Sequence, residues 1–344
     1  MSVKKINAHS HLLPEPSQIP TFMKDKKLFW IDEDKKYMRQ GEWSRPITDP
    51  SFFVDEKMIW MEKNNIDHAV VITLSQLYGN GLNERDVNDM IRFQNDFQAH
   101  LQETYSDKFT CGFVVQPRFM DQALREVERC VVEKGLRVLC LPTHFQDDSG
   151  QWKTISHLSV MPLFELANHY NLAIEIHPYD GQKFIQLADQ SWRFHLIWML
   201  AQTADALHFY ALNGLADRFP NIRTCFAHGC MLGQASFGRR MQGFEGRPDL
   251  FKGQSSPERS NAHPNIFFDT LVHDPLTLKL LIDRVGTSQI VWGLDDPYPL
   301  GEMEGVGDSY PGKLLDDAID ANILNKAEQK QIYHDNVLRW LAKM

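Results

Sequence analysis

Two histidines stand near the start of the chain, in Ile6-Asn7-Ala8-His9-Ser10-His11, where a short apolar run ends. Val3 to Ala8 reads as a buried strand, and side chains two apart on a strand point the same way. His9 and His11 could therefore grip one metal ion between them, neutral imidazole being the commonest metal ligand and one that suits zinc. Alone, His-x-His is a weak signal. It gains weight from three more apolar runs that end in residues of ligating type: Ile176-His177-Pro178, Phe226-Ala227-His228-Gly229 and Trp292-Gly293-Leu294-Asp295-Asp296-Pro297. With fourteen histidines in the chain, one such coincidence is ordinary; three beside an acidic pair are not. A mononuclear site of His9, His11, His177 and Asp295, completed by water, matches the donor types of catalytic zinc.

Each residue also has a structural reading. His177 and His228 could be strand-end histidines satisfied by backbone, and Asp295 and Asp296 could be turn residues before Pro297-Tyr298-Pro299. His144, in Thr143-His144, stands open between a structural role and substrate contact. The cysteines read as small core residues, with Cys230 notable only for its place beside His228. No lysine ends the fourth strand, where Cys140-Leu141-Pro142 stands. A carbamylated lysine bridging two metals is therefore not expected, and a single ion is.

The elements that must bring these residues together alternate along the chain. Strands are expected at Val3–Ala8, Asp67–Leu74, Phe109–Val115, Arg137–Leu141, Leu172–Ile176, Ile222–Phe226, Ile266–Phe268 and Gln289–Trp292. Helical spacing lies between them, as in Val54–Lys63, Arg85–Tyr105, Gln122–Lys134, Met161–Tyr170, Ser191–Arg218 and Pro275–Val285. The strands are continuously apolar, as parallel strands covered on both faces should be. A closed (β/α)8 TIM barrel is the economical reading, and such barrels carry their chemistry at the carboxyl ends of the strands. A doubly wound open sheet is the runner-up, but no Gly-x-Gly-x-x-Gly follows the first strand. The whole chain then reads as one such domain, with an insertion at 14–52 after the first strand. That stretch, rich in Lys, Asp, Trp and Pro, is long enough to be a lid or substrate loop. Lys313 to Ala342 reads as a helical tail of two helices, with Asn325 placed to cap the last.

Composition narrows the function. The 344 residues are 43 % hydrophobic and 24 % charged, as in a soluble globular protein. No apolar run approaches the ~20 residues of a membrane span. Neither a signal-peptide nor a transit-peptide pattern opens the sequence. Five cysteines without a Cys-x-x-Cys pair suggest a reducing compartment, so a cytoplasmic location is expected. A net charge of −9 argues against nucleic acid as a partner and leaves a small molecule.

With these residues in place the chain resembles the amidohydrolase superfamily, and within it the 2-amino-3-carboxymuconate-6-semialdehyde decarboxylase family. The likeness spans nearly the whole length. It is densest in Phe226-Ala227-His228-Gly229, in Arg247-Pro248-Asp249-Leu250, in Leu271–Leu281 and in Pro297-Tyr298-Pro299-Leu300-Gly301-Glu302. The resemblance implies that His9, His11, His177 and Asp295 hold one zinc ion and that His228 is the base acting on the metal-bound water. It implies two arginines for substrate carboxylates. Arg39-Gln40-Gly41-Glu42-Trp43-Ser44-Arg45 has the spacing that makes Arg45 the first, with Arg39 in place of the family's lysine. Arg239, in the Gly238-Arg239 pair, matches the second, which in the relatives is lent across a homodimer interface. Trp192 matches a tryptophan of the active-site wall. Three departures stand out: Asn7 replaces an Asp, Gly229-Cys230-Met231 replaces three glycines, and Gly293-Leu294-Asp295-Asp296-Pro297 replaces Gly-Thr-Asp-Tyr-Pro.

The expected activity is zinc-dependent decarboxylation of a small unsaturated or aromatic carboxylic acid. Zinc lowers the pKa of bound water to about 7, and His228 within reach could take and return that proton. The same site aimed at a carbonyl or double bond would give a hydrolase or hydratase, and a non-catalytic metal-binding protein is the third reading.

Overall fold

The structure, a computed structural model, describes residues 4–179 and 190–342. Eight parallel strands form its centre: β1 (Ile6–Ser10), β2 (His68–Val71), β3 (Phe109–Val114), β4 (Val138–Pro142), β5 (Ala173–His177), β6 (Arg223–Phe226), β7 (Ile266–Asp269) and β8 (Ile290–Val291). They pair in that order. The ring closes where the segment after β8 meets β1: Ala8 N–H donates to Trp292 O at 2.6 Å, Asp295 N–H to His9 O at 2.8 Å, and Ser10 bridges Asp296 in parallel. The expected closed barrel is what the chain forms. Val3, where the sequence starts the first strand, lies outside the described residues.

The unbroken apolar runs follow from burial on both sides. Ile6, Ala8, Val70, Val114, Val138, Cys140, Ala173, Cys225, Phe267 and Val291 fill the barrel interior. Their strand neighbours Val71, Phe113, Leu139, Leu141, Ile174, Ile176, Phe226, Phe268 and Ile290 pack outward against the helices. Some buried polar side chains lie within the strands, among them Asn7, Thr110, Glu175 and Thr224. His9, His11, His177 and Asp295, however, gather at or just past the strand ends, at the carboxyl mouth.

Helices Val54–Lys63 and Pro275–Val285 have the expected bounds, the latter capped by Asp274, whose carboxylate accepts from Leu276 N and Thr277 N at 2.9 and 3.0 Å. The expected helix Ser191–Arg218 is divided: Phe194–Trp198 runs on into Met199–Leu212, and Leu215–Arg218 follows. Gly214 makes the break at φ 61°, where a Cβ would also meet Ser255 Oγ at 2.9 Å. In the tail, Asn325 caps helix Lys326–Lys330 as expected, accepting from Ala327 N and Glu328 N. Trp340 then seals the opposite end of the barrel, its carbonyl accepting from Arg223 Nε at 2.7 Å.

The insertion has no long apolar period, yet it folds. Trp30–Ile31, Tyr37–Gln40 and Trp43–Pro46 form a three-stranded antiparallel sheet. Met23, Leu28, Phe29, Ile31, Met38 and Phe52 close a small core beneath it, against Leu74, Leu77 and Tyr298 of the barrel mouth. A second short hairpin, His144–Gln146 with Trp152–Thr154, follows β4 and turns at Asp147-Asp148-Ser149-Gly150. Among the described residues no helix is long and apolar enough to cross a membrane.

Candidate metal centre and active site

His9 sits in β1 and His11 just past it, His177 ends β5, and Asp295 follows β8. Barrel closure brings them together: one ligand-type atom from each lies within 4.8 Å of the other three. Asp295 Oδ1 is 3.0 Å from His11 Nε2 and 3.5 Å from His9 Nε2. The ring centroids of His9, His11 and His177 are 5.1 to 5.8 Å apart.

The outer nitrogens decide the tautomers. His11 Nδ1 faces Ile72 O at 3.3 Å and His177 Nδ1 faces Pro178 O at 2.6 Å. A carbonyl only accepts, so each Nδ1 carries the hydrogen and each Nε2 keeps its lone pair. His9 Nδ1 meets Asp269 Oδ2 at 2.8 Å, the carboxylate–histidine pairing that orients metal ligands. The inner atoms His9 Nε2 and His177 Nε2 are buried without a hydrogen-bond partner. Burial alone cannot explain two orphaned lone pairs pointing at one spot; a divalent cation would satisfy both. The donor set therefore fits such an ion.

At His11 and His177 the electrostatics agree; at His9 the neighbouring carboxylates favour the protonated ring, a proton that a bound cation would displace. Burial pushes His11 down to about 4 and His177 well below its ordinary value, so both are neutral, the form that ligates. Burial also opposes charge on His9, but the Asp269 hydrogen bond and the nearby Asp295 outweigh it and raise that imidazole to about 9. Asp295 is partly exposed, at 13 %, and His11 and His228 hold its carboxyl well below the usual range against the burial that opposes its charge.

Above the cluster opens a cavity of about 290 Å³. His228 lines it, with Nε2 3.8 Å from Asp295 Oδ2. Its backbone is left-handed (φ 57°), held by a donation from His228 N–H to Asp269 Oδ2 at 3.0 Å. Arg45 also lines the cavity, its guanidinium over the rings of Trp43 and Tyr298 and in contact with the His195 ring. Trp192 is part of the same wall.

Two expected substrate residues lie elsewhere. Arg39 does not line the cavity and is ion-paired to Asp32 at 2.7 Å. In the hairpin Met38 pairs with Arg45 and Arg39 with Ser44, so the two arginines sit on opposite faces of the small sheet. Arg239 is exposed on helix Phe237–Gly246, none of whose residues is buried in the single chain, and it is not at this chain's cavity.

His144 pairs with Asp205 at 2.9 Å and does not line the cavity either. Cys230 is buried, its thiol pushed up to about 12 by burial. All five cysteines are free and buried, as core residues. Asp296 is fully buried outside the cavity.

Sequence reasoning missed Asp269, though an acid ending the run Ile266-Phe267-Phe268 was a signal of the same kind as Asp295. It also missed the cavity-lining His195 and His273, which no local pattern marks.

A closed parallel barrel with a histidine–carboxylate cluster at its mouth defines a metal-dependent (β/α)8-barrel enzyme. The chain belongs to the amidohydrolase family, whose model matches residues 6–342. It is 27 % identical over 320 residues to 2-amino-3-carboxymuconate-6-semialdehyde decarboxylase of Dictyostelium discoideum, covering 91 % of this chain and 85 % of that one. Among solved structures, 5-carboxyvanillate decarboxylase of Sphingomonas paucimobilis superposes with a TM-score of 0.78 at 18 % identity over 99 % of each chain. Dihydroxybenzoic acid decarboxylase of Polaromonas sp., solved with bound manganese and 2-nitroresorcinol, gives 0.74 at 15 % identity over 99 % of this chain and 97 % of that one.

Proposed function

We propose that the protein is a decarboxylase of a small aromatic or unsaturated carboxylic acid, working with one divalent ion held by His9, His11, His177 and Asp295. The observation that carries this is the convergence of those four donors, two of them with orphaned lone pairs, under a cavity that Arg45 enters. The decarboxylase among its relatives supports the reaction class. Three imidazoles and one carboxylate favour zinc, although a structural neighbour holds manganese. When bound, the ion supplies positive charge that acidifies water and polarises substrate oxygens.

The chain's own residues do the rest. Arg45 receives a substrate carboxylate in a bidentate fork that a lysine could not reproduce. Leu74, Trp192, Met199, Met231 and Leu300 give the cavity an apolar wall. Such a wall disfavours the charge of a carboxylate more than neutral CO2, which lowers the barrier to losing CO2 within the site. Decarboxylation breaks the bond to the carboxyl carbon and puts a proton in its place. The bonding electrons stay on the substrate carbon that bore the carboxyl group. His228 Nε2, beside Asp295 at the cavity, would take a proton from water and deliver it to that substrate carbon, and the hydroxide left by the water balances the proton consumed.

Arg239 would complete the site of a second copy, since its helix has no buried face in the single chain. This makes the working form a homodimer. Five free buried thiols accord with a cytoplasmic location.

The test is mass-spectrometric screening of purified protein against candidate carboxylic acids, with metal present and with metal chelated. Metal-dependent loss of CO2 supports decarboxylation. Gain of water would assign the site to a hydrolase or hydratase instead.

A further inference from the structure

Asp296 directly follows the proposed ligand Asp295, yet its carboxylate sits in a buried cluster outside the cavity. Asn7 Nδ2 donates to Asp296 Oδ1 at 2.5 Å and Ser10 Oγ to Asp296 Oδ2 at 3.2 Å. Lys57 Nζ, reaching from helix Val54–Lys63, pairs with Asp296 Oδ2 and also donates to His11 O at 3.3 Å. Asn7, Lys57 and Asp296 are each 0 % exposed. On its other side Asn7 Oδ1 accepts the N–H groups of His9 and Leu294, both at 3.1 Å. The cluster thus touches the backbone of His9 and His11 and flanks Asp295 from both sides. Asp295 itself has φ 51°, a conformation that a non-glycine residue keeps only when its surroundings hold it there.

Asn7 and Asp296 are also two of the positions at which the chain departs from the pattern it resembles, with Asn for Asp and Asp for Tyr. The departures complement each other. Two carboxylates in contact would not both ionise, whereas the amide of Asn7 turns that repulsion into a hydrogen bond. Lys57 supplies the counter-charge that a buried carboxylate requires.

We propose that Asn7, Lys57 and Asp296 form a positioning triad that sets the affinity of the His9, His11, His177 and Asp295 cluster for its cation. This rests on the metal-site reading above. The test compares the parent with Asn7→Asp, Asp296→Asn and the double exchange Asn7→Asp/Asp296→Asn, using zinc affinity in competition with a chromogenic chelator. Visible absorption of the cobalt(II)-loaded proteins reports the coordination directly. Asn7→Asp is expected to weaken zinc binding about 10- to 100-fold, the range typical of losing an outer-shell partner, and to alter the cobalt spectrum. The double exchange is expected to recover most of both, because donor and acceptor trade places. A purely structural role would lower Tm and leave the zinc affinity of the folded protein unchanged, which overturns the proposal; so would a folded double variant as weak as the single. If Asn7→Asp does not fold, Ser10→Ala removes one neutral hydrogen bond to Asp296. Several-fold weaker zinc binding then supports the triad and unchanged affinity overturns it. A parent chain that binds no zinc or cobalt overturns the metal site itself, a distinguishable failure.

Discussion

Asp269 Oδ2 accepts the Nδ1–H of His9 at 2.8 Å, and the same carboxylate receives the backbone N–H groups of His228 and Gly229 at 3.0 and 2.8 Å. One side chain at the end of β7 therefore fixes His9, a proposed metal ligand, and the loop carrying His228, the proposed proton-transfer group. Replacing it by Asn keeps one acceptor and loses the charge. Asp269→Asn is expected to lower zinc affinity about 10- to 100-fold. Zinc per chain after dialysis against a chelator measures this, and unchanged loading would contradict the role.

His228 is separable from the ligand set, since its Nε2 lies 3.8 Å from the nearest Asp295 oxygen. His228→Ala should reduce kcat by about 10²- to 10⁴-fold, the usual contribution of a positioned acid–base group. Zinc content should stay near that of the parent. Parallel loss of metal would instead make His228 a ligand.

Arg45 and Arg239 are predicted to bind carboxylate from two different chains. Arg45→Lys should cost roughly 1.5–3 kcal/mol in kcat/KM, the worth of a charged hydrogen bond. A mixed dimer of Arg239→Ala and His228→Ala chains should regain part of the activity that each homodimer lacks, since one of its sites is intact. A mixed dimer as inactive as its parents would rule out the shared site.

How much of this could be read in advance differs by residue. His9, His11, His177, His228 and Asp295 were legible because each ends an apolar strand, and barrel closure alone then brings strand ends together. Asp269 ends a strand in the same way but carries no repeated spacing, and its partners are more than 200 residues away for His9 and about 40 for His228. Arg39 and Arg45 were both expected to serve the substrate, Arg45 as the matched arginine and Arg39 in place of a lysine. Only the register of the hairpin, Met38 with Arg45, puts one at the cavity and the other against Asp32. The small sheet of the insertion was hidden for a related reason: its strands are short and half-exposed, so no apolar period marks them. Asp296 read as one of an acidic pair or as a turn residue, because sequence cannot show that Asn7 and Lys57 pair with it in a buried cluster.

Glu302 gives a prediction away from the site. Its carboxylate accepts from Leu314 N at 2.6 Å and Gly312 N at 3.2 Å, yet burial still raises its pKa from 4.5 to about 6. The fold thus favours the protonated form. The stability this contributes is full below the unfolded pKa of 4.5 and is lost as pH rises through about 6. Denaturant unfolding of Glu302→Gln beside the parent should therefore show the variant gaining roughly 2 kcal/mol relative to the parent between acidic and mildly alkaline pH. An offset independent of pH would contradict the assignment.

The claim on which the rest depends is that one divalent ion joins four residues drawn from three strand ends. Crystals grown with zinc, with anomalous data collected on both sides of the zinc edge, test it directly. The account predicts one strong peak per chain about 2.0–2.2 Å from His9 Nε2, His11 Nε2, His177 Nε2 and an Asp295 oxygen. An empty cluster, or zinc bound only elsewhere, would contradict it.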